Sequence, residues 1–154
     1  MTRFTGGPGD SPGFLLWRIT LRWQRAVAEA LRPLDLTHVQ FVLLASTWWL
    51  NRQDQKPNQL AIATQADTDV KMTSEILRKL EDKGLLVQST DLADRRAKAV
   101  VVTAEGSALA ERAIRVVEQV DADFFSGTPA SLIPSLQRLA GMPLPPADPA
   151  ERDK

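Results

Sequence analysis

Residues 71–106 read KMTSEILRKLEDKGLLVQSTDLADRRAKAVVVTAEG, and helix, strand and turn signals follow one another within them. From about Val70 to Lys83, Met72, Ile76, Leu77 and Leu80 recur at helical spacing and face one way. Lys71, Thr73, Ser74, Arg78 and Glu81 lie largely elsewhere on that helix. Gly84 is placed to end it in a left-handed conformation. Leu85–Thr90 and Ala99–Thr103 are short and β-prone, the second rich in valine. Between them, DLADRRAK at 91–98 is a charged turn, so the pair reads as a hairpin with a basic tip.

Upstream, Thr37 caps a helix over about 38–51 that is apolar on nearly every side, which places it in a core or an interface. A polar loop at 52–58 follows, and Pro57 opens a third helix, Asn58 to about Gln65, with Leu60, Ile62 and Ala63 turned inward. Asp67 to Asp69 form another polar break. Further back, Ser11 and Pro12 start a long amphipathic helix that stops at Pro33. Its apolar positions are Leu16, Ile19, Val27 and Leu31, and Arg18, Arg22, Arg25, Glu29 and Arg32 fall on the other side. Residues 1–11 read as a flexible arm. Downstream, Thr103 caps a helix to about Phe125, with Leu109, Ala113, Val116, Val117 and Val120 on one face. A last short helix spans about 130–140, and the proline-rich, charged segment 143–154 reads as disordered.

The order of parts is helix, short loop, helix, glycine, strand, basic turn, strand. It describes a winged helix-turn-helix at about 37–103 within a mainly α domain at 12–142 that has only a small β-wing. Helices at about 12–32 and 104–141 flank it. The geometry suits double-stranded DNA. An α-helix fits the major groove, and side chains near its N-terminal end reach base edges. Lys71, Thr73 and Ser74 occupy that end, and the helix N-terminus itself favours a phosphate. An arginine at a ribbon tip suits the narrow minor groove. Charge gives modest support: residues 71–98 carry seven basic and five acidic side chains, whereas 99–154 carry five and eight.

The composition removes other classes. The 154 residues include no cysteine and one histidine, which excludes disulfides, thiolate chemistry and sulfur- or histidine-rich metal sites. No cofactor or metal is expected. No nucleophile–base set or phosphate loop is visible, so an enzyme is not expected. No apolar run reaches the ~18–20 residues of a membrane span, and the N-terminal residues lack the apolar stretch of a secretory signal. A cytoplasmic protein is expected.

In combination, Thr73, Leu77, Arg78, Leu80, Lys83 and Gly84, then Asp94, Arg96, Val102, Thr103 and Gly106, resemble the pattern of the MarR family of winged-helix transcriptional regulators. The likeness in helix order extends over about residues 14–140. The resemblance implies a homodimer joined through the N- and C-terminal helices, with two winged helices on a roughly palindromic operator. It implies that Asp94 and Arg96 pair and that the wing arginine reaches the minor groove. It also implies a small aromatic or phenolic effector, bound between the dimer region and the DNA-binding lobe. Two departures stand out. Ala93 occupies a position where many wings carry a further arginine, and the C-terminal helix is short.

The expected DNA-binding set is Lys71, Thr73, Ser74, Arg78, Arg95, Arg96 and Lys98. Arg78 either touches phosphate or pairs with Glu75 or Glu81 along its helix. Trp17, Trp23, Trp48 and Trp49 serve core and dimer packing, or some of them line an effector pocket. The candidate ligand residues are Trp17, Arg18, Trp23, His38 and Trp48. The expected function is a DNA-binding transcriptional repressor released by a ligand. The alternative is a winged-helix module for protein or ligand binding without DNA specificity, motivated by the balanced charge and by Ala93.

Overall fold

In the computed structural model, residues 3–90 and 98–142 are described. The wing tip and the segment 143–154, expected to be a charged turn and a disordered tail, lie outside them. Among the described residues the order is α1 (Pro12–Leu31), α2 (His38–Arg52), α3 (Gln59–Ala66), α4 (Val70–Asp82), β1 (Leu86–Thr90), β2 (Lys98–Val102), α5 (Ala104–Phe124) and α6 (Leu132–Leu139). The chain divides into two units, residues 1–124 and 125–154. No described helix is long and apolar enough to cross a membrane.

Side chains that can satisfy free backbone groups fix the helix starts. Ser11 Oγ accepts the Phe14 N–H, and Pro12 follows at the first helical position. Ahead of it, part of the segment expected to be a loose arm forms a 3-10 turn at Gly7–Asp10. Thr37 and Gln40 form a reciprocal capping box at the start of α2. Pro57 does not open α3 as expected. Asn58 caps that helix through its side chain, and the buried Pro57 uses its carbonyl to accept the Val100 N–H at 2.8 Å. Asp35 and Asp67 close the preceding turns with positive φ, at 53° and 51°.

The end of α4 is a Schellman motif. Gly84 stands at φ +74°, its N–H bonds to the Glu81 carbonyl, and the Leu85 N–H returns to the Leu80 carbonyl. Leu80 and Leu85 are both buried beneath it. Thr103 ties this turn to the next helix: its hydroxyl donates to the Gly84 carbonyl at 2.7 Å and accepts the Gly106 N–H at 3.0 Å. A Cβ at Gly106 would stand 1.7 Å from the Leu85 carbonyl oxygen, so only glycine permits this approach.

The core of the first unit joins Val27 and Leu31 of α1, Leu43 and Leu44 of α2, Ile62 of α3, Leu77 and Leu80 of α4, and Val100 of β2. Each of these side chains is fully buried. α2 supplies the centre, as its all-round apolar sequence requires. Its one buried hydroxyl, on Thr47, donates to the Leu43 carbonyl. Two residues expected to face inward do not: Leu60 is 60% and Met72 39% exposed. Leu60 lies near the start of α3, outside the stripe formed by buried Ile62 and Ala63. Met72 sits one turn ahead of the buried Leu77–Leu80 stripe and to its side.

β1 and β2 pair antiparallel in the register Leu86↔Val102, Gln88↔Val100 and Thr90↔Lys98. Asn51 of α2 holds β2: its amide donates to the Val100 carbonyl and its oxygen accepts the Val102 N–H. Glu81 of α4 holds β1: its Oε1 accepts the Gln88 N–H at 2.8 Å and its Oε2 accepts the Gln88 side-chain amide at 3.2 Å.

In α1, burial is confined to the C-terminal half, at Val27 and Leu31. Phe14, Leu15, Leu16, Trp17 and Ile19 are exposed. In the second unit, α6 is a two-turn amphipathic helix whose Ile133, Leu136 and Leu139 are exposed.

Candidate nucleic-acid interface

The turn between α3 and α4 sets the N-terminal end of α4. The Asp69 carboxylate accepts the Met72 N–H at 2.9 Å, and the Asp69 carbonyl accepts the Thr73 hydroxyl at 2.8 Å. The Thr73 and Thr68 hydroxyls share a further hydrogen bond of 2.8 Å. Thr73 is fully buried. It is therefore a residue of the turn and core, which corrects the expectation that it reads a base: its hydroxyl is engaged inside and no atom reaches the surface. The Asp69 carboxylate also places negative charge at a helix end expected to favour a phosphate, and this opposes that reading.

The outward face of α4 is formed by Lys71, Glu75 and Arg78, with Ser74 half-buried beside them. Of the expected partners of Arg78, Glu81 is engaged by Gln88, and Arg78 forms no ion pair among the described residues. Lys98, exposed at the start of β2, joins Ser74, Glu75, Arg78 and Gln88 around a cleft of about 200 Å³ between α4 and the root of the wing. The Gln59 amide reaches the Gln88 side-chain oxygen at 2.8 Å, so α3, β1 and α4 are linked by one polar chain. Arg95, Arg96 and the expected Asp94–Arg96 pair lie outside the described residues.

Sequence reasoning used Lys83 only as part of the family pattern and Glu75 only as a partner for Arg78. Lys83 stands at the far end of α4. Its ammonium donates to the Asp35 carbonyl and, at 3.3 Å, to Gln40 Oε1, and it pairs with the Asp35 carboxylate at 3.3 Å. The helix is thus anchored to the α1–α2 corner, whereas its N-terminal end is held by the α3–α4 turn. Nothing in the local pattern around Lys83 announces a partner 48 residues away. Glu75 was legible: it lies four residues after Lys71 and three before Arg78, on the same face.

The five candidate ligand residues do not form one pocket. Trp23 and His38 meet edge to face, with ring centroids 5.0 Å apart, and Trp23 Nε1 donates to Asp121 Oδ1 at 2.7 Å. Burial holds the His38 imidazole below its ordinary pKa of 6.5, with Asp121 pulling the other way. Trp48 lies ten residues beyond His38 on α2, roughly 15 Å along the helix. Its indole N–H donates to Ser107, and the Arg52 guanidinium lies 5.0 Å from its ring. Trp17 is 63% exposed, and Arg18 lies over Phe14 instead. His38 does line a cleft of about 490 Å³, which also receives Arg32, Leu36, Gln40 and Lys83.

A sequence profile of the MarR family matches residues 36–98. The uncharacterized HTH-type transcriptional regulator YdcH of Bacillus subtilis (strain 168) is 41% identical over 120 residues, covering 78% of this chain and 82% of the relative. The HTH-type transcriptional repressor Rv2887 of Mycobacterium tuberculosis is 34% identical over 114 residues, covering 73% of this chain and 79% of its own. Among solved structures, CouR from Rhodococcus jostii RHA1 bound to p-coumaroyl-CoA superimposes with a TM-score of 0.76 at 28% identity, covering 90% of this chain and 98% of that one. A helix-turn-helix with a two-stranded wing, a matching family profile and a relative of this identity and coverage agree: the chain belongs to the MarR family of DNA-binding transcriptional regulators.

Proposed function

We propose that this chain is a homodimeric repressor that binds a roughly palindromic operator and is released by a small aromatic anion. The observation that carries the reading is the outward face of α4. Lys71, Ser74 and Arg78 stand there, and Arg78 has no ion-pair partner among the described residues, on a helix held firmly at both ends. Lys71 and Arg78 bind phosphates, and Ser74 approaches base edges in the major groove. Lys98, Arg95 and Arg96 carry the wing contact, with Arg96 in the minor groove, oriented by Asp94.

Dimerisation is supported by the exposed run Phe14, Leu15, Leu16, Trp17 and Ile19 on α1 and by the apolar face of α6. Exposed apolar surface of this kind marks a protein interface. Two copies would set two α4 helices on the two half-sites of an operator. Release is supported by the 490 Å³ cleft, where Arg32 offers positive charge to a carboxylate beside His38, while Lys83 there is paired with Asp35. A ligand there releases DNA only if it favours a dimer geometry in which the α4 helices are misplaced.

The test is fluorescence anisotropy with the DNA upstream of the protein's own gene, at ~0.15 M salt and with excess unrelated competitor. The expected result is tight binding that resists the competitor, with two protomers per site. A second reading, a winged helix without DNA specificity, draws on the carboxylates of Asp69, at the start of α4, and Glu75, on its outward face. It predicts binding that the competitor removes, and that outcome across selected genomic DNA would overturn the repressor.

A further inference from the structure

We propose that Glu75 is a specificity-determining residue that selects a cytosine in each half-site by accepting a hydrogen bond from its exocyclic amino group. The inference rests on α4 being the DNA-reading helix. Four carboxylates lie along this helix and its cap: two are engaged, and Asp82, at the C-terminal end, does not line the cleft between α4 and the wing root. Asp69 caps the Met72 N–H, and Glu81 accepts two hydrogen bonds from Gln88. Glu75 is exposed, and among the described residues it makes no hydrogen bond or ion pair, although Lys71 and Arg78 neighbour it on the same face. It lines the cleft between α4 and the wing root, beside Ser74 and Lys98.

A carboxylate in that position is repelled by the phosphates of any duplex, so it lowers affinity for DNA in general. An ionised carboxylate is also an acceptor only. In the major groove it is matched by the N4 amino group of cytosine, and it is mismatched by the acceptor edges of guanine and by thymine O4. Glu75 therefore sharpens choice at the cost of general affinity, while Lys71 and Arg78 supply attraction that does not depend on sequence.

The test is selection from a pool of random duplexes with the wild-type dimer, E75Q and E75A, after circular dichroism melts verify that the exposed substitutions leave the fold intact. The wild type should enrich a C·G pair at one fixed position of each half-site. E75Q, which adds a donor, should move that preference toward adenine. E75A should lose it, with discrimination at that position falling about tenfold and affinity for unrelated DNA rising. Identical consensus sequences for all three proteins would overturn the role of Glu75 and leave the DNA reading of α4 intact. Failure of the wild type to enrich any sequence would overturn both.

Discussion

The two halves of α1 have the same apolar periodicity and opposite fates. Val27 and Leu31 are fully buried, closed over by the chain's own α2 and α5, whereas Leu16 and Trp17, three turns earlier, are 58% and 63% exposed. The inner half is covered by the fold, and the outer half is left exposed by it. The outward face of α4 is exposed too, but it is polar and charged. Apolar exposure on α1 suits a protein surface, and charged exposure on α4 suits a polyanion.

The comparison can be broken first from the inner side. Gly106→Ala puts a methyl group against the Leu85 carbonyl and should destabilise the protein by about 3 kcal/mol in urea denaturation. A change near zero would mean that the α4–α5 junction yields more readily than its packing implies. On the outer side, Trp17→Ala should leave helix content unchanged and weaken self-association by roughly thirtyfold, the loss expected of an interface anchor. Sedimentation across a concentration series reads this directly. Association unchanged by both Trp17→Ala and Leu16→Glu would place the dimer contact elsewhere.

A smaller effect is expected at the corner that joins α1 to α4. Lys83→Met removes the donor shared by Asp35 and Gln40. Because Asp35 is largely exposed, the stability loss should be about 1 kcal/mol. Operator affinity should fall without a change in its salt dependence, since Lys83 neutralises no phosphate in this arrangement. The smallest effect concerns His38. Its folded pKa lies below 6.5 because burial disfavours the charged ring, partly offset by Asp121. As pH falls, the unfolded chain takes up this proton first. The contribution is therefore full above pH 6.5 and is lost as pH drops from there through the folded value. Melting temperature should decline over that interval in the wild type and less steeply in His38→Gln.

Several helix boundaries were legible because local chemistry sets them: Ser11 with Pro12, Thr37, and Gly84 each act within a few residues, whereas the start of α3 was misplaced onto Pro57. Periodicity located the apolar stripe of α1 but could not say what covers each part of it. Thr73 and Ser74 show the same limit at finer grain. Both are small hydroxyl residues at the start of α4, yet one step of about 100° separates an internal bond from the surface. The spacing of Thr73, Leu77 and Leu80 does place the threonine on the buried stripe, so composition misled where period was informative. Tertiary placement was the part sequence did not carry. Trp23, His38 and Asp121 meet across three helices, while Trp48 turns toward Ser107, and no local pattern distinguishes the two indoles.

The polar links at the wing root also bear on solubility. A two-stranded ribbon exposes two edges, each an open template for strand addition by another chain. Here Asn51 and the Pro57 carbonyl occupy the outward backbone groups of Val100 and Val102 on β2, and Glu81 occupies the outward N–H of Gln88 on β1. At these positions helix side chains and a loop carbonyl stand in for the missing neighbour strands. At those positions the ribbon offers no free backbone group to the edge-to-edge pairing that leads to aggregation.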